Sequence, residues 1–334
     1  MLRRCLRAEA GVSLSAMLRR CLRAEAPFRQ SRNILLRTPE VPFPRPLRYN
    51  SRVMNEPNDQ PMVSVVMPVY CHTEDHKRYL AEALESVADQ GFRDFELVIV
   101  DDVSPIDILP IVDSIKCLPD TRILRNVTNL GHAESRNAGV RAAEGELIAF
   151  LDHDDIWLRD KLDRQVDALR ARPEAAMLFC DAEIFGPHAK GLYTDQSTVP
   201  GTLDALWLMS HRNCVVTFSA ALARRQALMD IGLFDSRYTT CDDLDAWIKL
   251  AMRAPIIHLS QTLVKYRLHE HNVNYSIDRV NDNRLLTALI AGYWRRTGLS
   301  EKLRLLPVIA RKLIGRIVFT LSRQGTRAPA DKKS

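Results

Sequence analysis

Leu147-Ile148-Ala149-Phe150-Leu151-Asp152-His153-Asp154-Asp155 sets five apolar residues directly before three carboxylates. An uninterrupted apolar run of this length reads as a strand buried on both faces, as in a parallel sheet covered by helices. In an open α/β sheet the carboxyl end of such a strand faces the crevice where ligands bind. Three crowded carboxylates there repel one another unless a cation neutralises them. A hard divalent ion, Mg2+ or Mn2+, held by one or two carboxylates and a substrate diphosphate, meets that need. The plainer alternative is a helix start, with Asp155 as a cap before the segment Lys161 to Arg170.

Outward from this run, Val63-Ser64-Val65-Val66-Met67 reads as a strand stopped by Pro68, and Tyr79, Leu80, Ala83, Leu84 and Val87 form the apolar stripe of a following helix. Phe95 to Val100 is a second strand. Helical stretches are expected at roughly Pro105 to Cys117, His132 to Ala143 and Asp160 to Ala171. Strands and helices alternating at this spacing imply right-handed βαβ crossovers. The expected fold is therefore α/β: a doubly wound, Rossmann-like, mainly parallel sheet flanked by helices.

The formal net charge of +6 over 334 residues hides a segregation. Residues 1–53 hold twelve Arg against three Glu, residues 281–334 hold twelve basic against three acidic residues, and the stretch between is strongly acidic. An acidic core argues against nucleic acid as a partner, because a nucleic-acid site clusters basic groups along a groove. The seven cysteines form no C-x-x-C pair, which points to a reducing compartment without structural disulfides or a thiolate zinc site. No stretch reaches the roughly eighteen apolar residues of a membrane span. A cytoplasmic location is expected, peripheral at the inner face of a membrane if the basic ends reach one.

Met1 to Ala10 recurs as Met17 to Ala26, and six prolines fall between Thr38 and Pro61. Residues 1–61 are expected to be a disordered Arg/Pro-rich extension, with no folded structure before about residue 62. A folded domain is expected over 62–278, with a doubly wound nucleotide-binding half at 62–155 and a second half at 156–278. A basic helical extension follows over 279–334. In it, Leu306, Ala310, Leu313, Ile317 and Leu321 recur at helical spacing among basic residues. That stripe suits either packing on the core or an anionic membrane surface.

Further polar groups fall where the fold places strand ends. Pro68-Val69-Tyr70 follows the first strand and Asp101-Asp102-Val103-Ser104 the second, while Asn129-Leu130-Gly131-His132 opens a helix carrying Arg136 and Asn137. Carboxylates after the second strand can accept hydrogen bonds from a base or ribose, and Arg136 can approach phosphate oxygens. Each also has a structural explanation: Pro68 as a strand stop, Asp101 and Asp102 as helix caps, Arg136 as a solvated charge. There is no G-x-G-x-x-G after the first strand and no G-x-x-x-x-G-K-[ST], which disfavours a dinucleotide dehydrogenase or a P-loop NTPase.

Over about residues 62–275 the sequence resembles family 2 glycosyltransferases of the GT-A fold. The resemblance rests on Val65-Val66-Met67-Pro68-Val69-Tyr70, Leu97-Val98-Ile99-Val100-Asp101-Asp102, Asn129-Leu130-Gly131 with Ser135-Arg136-Asn137-Ala138-Gly139, and Leu151-Asp152-His153-Asp154-Asp155-Ile156-Trp157 with Lys161-Leu162. Gly232-Leu233-Phe234-Asp235, Asp242-Asp243-Leu244-Asp245-Ala246-Trp247 and Tyr266-Arg267-Leu268-His269-Glu270-His271-Asn272 complete it.

The resemblance implies a metal-dependent, inverting transfer of a sugar from a nucleoside-diphosphate donor, UDP-sugar favoured, to the hydroxyl of a saccharide or other acceptor, in cell-surface polysaccharide or glycoconjugate synthesis. It places Pro68, Tyr70, Asp101, Asp102, Arg136 and Asp152 at the donor, and Asp154 with His269 at Mg2+ or Mn2+. Asp243, the second residue of the usual acidic pair, becomes the general base, with Asp242, Asp155 and His271 as secondary candidates. Two departures stand out. Val103 occupies a position that is often Gly, so its loop must avoid a positive φ or bear the cost, and Arg159 replaces a common Pro. The competing classes are a nucleotide-sugar-binding module without turnover and a membrane- or polymer-docking protein that acts through its tail.

Overall fold

Val63–Val69 is buried along its whole length and has parallel partners on both sides, Phe95–Asp101 and Leu147–Phe150. The computed structural model describes residues 47–49, 60–189, 196–211, 213–238, 242–270 and 272, with scattered positions from 290 to 310. In chain order the strands are β1 (Leu47–Tyr49), β2 (Val63–Val69), β3 (Phe95–Asp101), β4 (Asp120–Arg125), β5 (Leu147–Phe150), β6 (Ile156–Trp157), β7 (Met177–Phe185), β8 (Thr202–Leu203), β9 (Ala221–Arg224) and β10 (Ile256–Arg267). The helices are α1 (Glu74–Ala88), α2 (Leu109–Ser114), α3 (Gly131–Ala142), α4 (Lys161–Arg170), α5 (Ala205–Ser210), α6 (Arg225–Asp230) and α7 (Asp242–Ala251).

The described strands form one sheet in the order β1-β4-β3-β2-β5-β9-β7-β10-β6, with β8 also paired to β10. Strands β4, β3, β2 and β5 are parallel, as the βαβ pattern requires. Strand β10 also runs parallel to β7 along most of its length, so the sheet is mainly parallel as expected, with short antiparallel pairings added. Strand β9 enters antiparallel between β5 and β7, and β6 and β8 run antiparallel to β10. Pro68 does not stop its strand, which runs on to Val69. The register of β2 with β5 ends at Val66 and Phe150, so Pro68 sits where β2 has a partner on one side only, a place where a sheet tolerates proline. Leu47–Tyr49, inside the stretch expected to be unfolded, pairs antiparallel with β4.

Alternation along the buried strands builds a core on each face. Val63, Val65, Met67, Leu97 and Ile99 meet Leu80, Leu84 and Val87 of α1 and Leu162, Val166 and Leu169 of α4. On the other face Val66, Ile148, Phe150 and Phe179 meet Leu208 of α5, Leu228 of α6, and Leu244, Trp247 and Ile248 of α7. Gly139 explains how α3 reaches the sheet: a Cβ there would lie 2.4 Å from Val66 Cγ1. Ile290 and Leu305 are buried in the second core, with Trp294 and Ile309 packed against it. Leu303, Leu306 and Ala310 are exposed. Among the described residues no helix is long and apolar enough to cross a membrane, and Cys71, Cys117, Cys180 and Cys214 are free.

Candidate active site

The parallel strands deliver their ends to one cavity of about 270 Å³, lined by Pro68, Tyr70, Arg136, Asp152, Asp154, Asp242, Asp243 and His269 of the residues singled out from sequence. The chain turns sharply after β5, where Asp155 N–H donates to Asp152 O at 3.1 Å. Asp155 is wholly buried and lies outside the cavity wall. Its Oδ2 accepts from Thr217 Oγ1 at 2.7 Å and Ser219 Oγ at 2.6 Å, and its Oδ1 accepts from Arg267 N–H at 3.0 Å. Asp155 therefore ties the turn to the end of β10 and to the 3-10 turn Phe218–Ala220, and does not cap α4, whose N-cap is Asp160. Burial, with Asp154 and Asp152 beside it, pushes its carboxyl well above the usual range. Burial opposes ionisation of Asp154 too, but the His269 Nε2 contact at 2.9 Å and the nearby His153 hold it below the usual carboxylate range.

Arg136 is buried, whereas a solvated helix charge would be exposed. Its Nη2 donates to Asp152 Oδ1 at 2.7 Å, its Nη1 lies 3.5 Å from Asp242 Oδ2, and its guanidinium sits 3.6 Å from the Phe218 ring centre. Burial disfavours the cation, but Asp152 and Asp242 keep it protonated. Next to it, Asn137 bonds the Phe234 backbone in both directions, at 2.8 and 2.9 Å. Helix α3 thus holds both the turn after β5 and the segment leading into α7.

Helix α7 begins with Asp242 and Asp243. Asp243 Oδ2 accepts from Asn213 Nδ2 at 2.5 Å and Oδ1 from Leu244 N–H at 2.6 Å. Burial, then the adjacent Asp242, raises the Asp243 carboxyl to about 7. A carboxylate poised near neutrality can take a proton from a hydroxyl and release it again.

Asp101 and Asp102 are not in the cavity wall. Asp101 accepts from Ser104 N–H at 2.8 Å and Arg125 Nη1 at 2.5 Å. Asp102 accepts from Asn126 Nδ2 at 2.6 Å and from Leu130 and Gly131 N–H, each at 2.8 Å, so it caps α3 across the loop. Between these anchors Val103 adopts φ 63°, the strained option that its sequence position left open. His271 lies outside the described residues.

Sequence reasoning missed four histidines on the wall: His72, His76, His132 and His153. The His76 ring centre lies 4.3, 5.3 and 5.8 Å from those of His72, His153 and His269. Burial and these imidazoles lower His76 to about 4, which leaves it neutral at pH 7. The available signal was the i, i+4 spacing of His72 and His76 just past the end of β2.

For a divalent cation, the donor chemistry fits. Asp154 offers an ionised oxygen donor and His269 an imidazole beside it. Among the described residues no three His, Cys, Asp or Glu side chains form a ready cage. Mg2+ in phosphate-transfer sites is commonly held by one or two carboxylates and completed by substrate phosphates.

The fold is that of a GT-A glycosyltransferase. The model for Glycosyl transferase family 2 matches residues 64–232, and the chain belongs to that family. A Bacillus subtilis (strain 168) protein provisionally named teichuronic acid biosynthesis glycosyltransferase TuaG is 26% identical over 223 residues, 65% of this chain and 83% of its own length. S. aureus TarS 1–349 in complex with UDP-GlcNAc is 23% identical, with a TM-score of 0.60 over 75% of this chain and 71% of that one. The mannosyltransferase PcManGT from Pyrobaculum calidifontis, in complex with GDP-Man and Mn2+, is 20% identical, with a TM-score of 0.53 over 80% and 79%.

Proposed function

We propose that this glycosyltransferase moves a sugar from a nucleoside-diphosphate donor to an acceptor hydroxyl with inversion, by a single displacement. The observation that carries the reading is Asp243, a carboxyl raised to about 7 on the wall of the same cavity as Asp152 and Asp154. Asp243 takes the proton of the acceptor hydroxyl as its oxygen attacks the anomeric carbon and the bond to the diphosphate breaks. Asp154, with His269 beside it, would hold Mg2+ or Mn2+. When bound, the cation neutralises charge on the leaving diphosphate. Pro68 and Tyr70 form the donor wall, and Asp152, fixed by Arg136, faces the ribose and diphosphate.

A uridine donor and a saccharide acceptor in cell-surface polymer synthesis are favoured, supported by the UDP-GlcNAc bound to TarS and by the name of the Bacillus relative. A peripheral contact with the inner face of a membrane is part of the proposal. Leu303, Leu306 and Ala310 are exposed along one side of a helical stretch within a strongly basic segment.

The test is titration of the protein with UDP, GDP and TDP, each with and without Mn2+. Metal-dependent binding of one nucleotide is expected. Folded protein that binds none would overturn the donor reading, and binding without product under all acceptors would favour a module without turnover.

A further inference from the structure

Asn213 was not among the candidates, yet it makes the contact that fixes the proposed base. It lies between α5 and the Phe218–Ala220 turn, and its amide is engaged at both ends. Nδ2 donates to Asp243 Oδ2 at 2.5 Å, and Oδ1 accepts from Val215 N–H at 3.2 Å. A flipped amide would set oxygen against the Asp243 carboxylate and NH2 against the Val215 N–H. Both contacts would be repulsive, so the neighbours dictate which end faces Asp243.

We propose that Asn213 is the positioning residue of the catalytic base: it aims the Asp243 carboxylate into the cavity and favours its ionised form. The proposal rests on the reading of Asp243 as base. Burial opposes ionisation of Asp243 first, then Asp242, its neighbour on α7; the Leu244 N–H, Arg136 from α3 and Asn213 favour it. A hydrogen bond to the charged form stabilises that form. Without the Asn213 donor the balance moves towards the protonated acid, which cannot accept a proton. The amide also occupies only Oδ2 from one side, which leaves lone pairs on the carboxylate for the acceptor hydroxyl.

The test uses the full chain labelled with 13C at aspartate carboxyls, with the Asp243 signal identified by its loss in Asp243→Asn. Titration is followed in the wild type, in Asn213→Ala and in the isosteric Asn213→Asp, which removes the donor and adds a like charge while keeping the shape. The expected result is a midpoint raised by about one pH unit in Asn213→Ala, a tenfold drop in ionised base well below the midpoint, and a larger rise in Asn213→Asp. The acid limb of the pH–rate profile for UDP release from UDP-N-acetylglucosamine should move with it and recover at high pH. An Asp243 midpoint that stays in place in folded variants overturns the proposal, as does a loss of rate that is equal at every pH. Turnover by Asp243→Asn at the wild-type rate instead overturns the base reading, whatever Asn213 does to the titration.

Discussion

The carboxylates in and behind the cavity wall differ in ionisation because their surroundings differ. Asp154 is held down by His269 and His153, whereas Asp155 is driven up by burial among its neighbours and Asp243 rests near 7. Replacing Asp243 with Asn removes the base but keeps the shape, so transfer should fall by about 10²–10⁴-fold with nucleotide binding unchanged by calorimetry. Lys161 is a second residue set by burial. Its ammonium is wholly buried over the Trp157 ring at 3.8 Å, has no hydrogen-bond partner among the described residues and is lowered by burial to about 7. Between pH 7 and 10.5 the unfolded chain binds this proton and the folded one does not, so Lys161 makes stability rise with pH across that window; below it the burial cost is constant. Lys161→Met should therefore stabilise the fold by a few kcal/mol below pH 7 and show less pH dependence above it, read by urea denaturation at pH 6.5 and 9.5. The Asp152–Asp155 cluster was legible in the sequence because its apolar run fixes where it falls. Of the cavity histidines only His269 was: His72 and His76 offer no more than an i, i+4 spacing, His132 and His153 offer no pattern, and folding brings His72, His76 and His153 to His269.

At the level of elements, α3 positions the site. Its N-terminus is capped by Asp102 from the loop after β3, its middle carries Arg136 and Asn137, and its next turn presses Gly139 onto β2. Gly139→Ala should destabilise the fold by about 1–3 kcal/mol despite the better helix propensity of alanine, because the added methyl meets Val66 rather than space. Thermal unfolding measures this directly, and an unchanged or raised Tm would contradict the packing account. Helices α1, α3 and α4 and the central strands could be read from periodicity because each is long or continuously apolar, whereas the short α5 and α6 could not. Strand β9 could not: four residues have too little pattern to reveal that they run antiparallel, and its direction is set by the fit between β5 and β7. Asp102 shows the same limit, since a cap for a helix that starts almost thirty residues later leaves no local signature.

Across the whole molecule, charge separates by region. The acidic stretch contains the site, while the basic C-terminal segment exposes Leu303, Leu306 and Ala310 and anchors Leu305 in the core. Vesicles rich in phosphatidylglycerol should therefore co-sediment the full chain several-fold better than phosphatidylcholine vesicles, and Leu303→Glu with Leu306→Glu should abolish the difference. Equal sedimentation with both lipids would remove the membrane from the account. The bridge that Arg136 makes between Asp152 and Asp242 has a further consequence for anyone building chimaeras of this family. A crossover anywhere between β5 and α7 separates these three charges into different parents, and a parent lacking one of them would bring a buried ion without its counter-ion. Specificity modules can be exchanged across that seam only as a matched set, with the arginine and both aspartates inherited together.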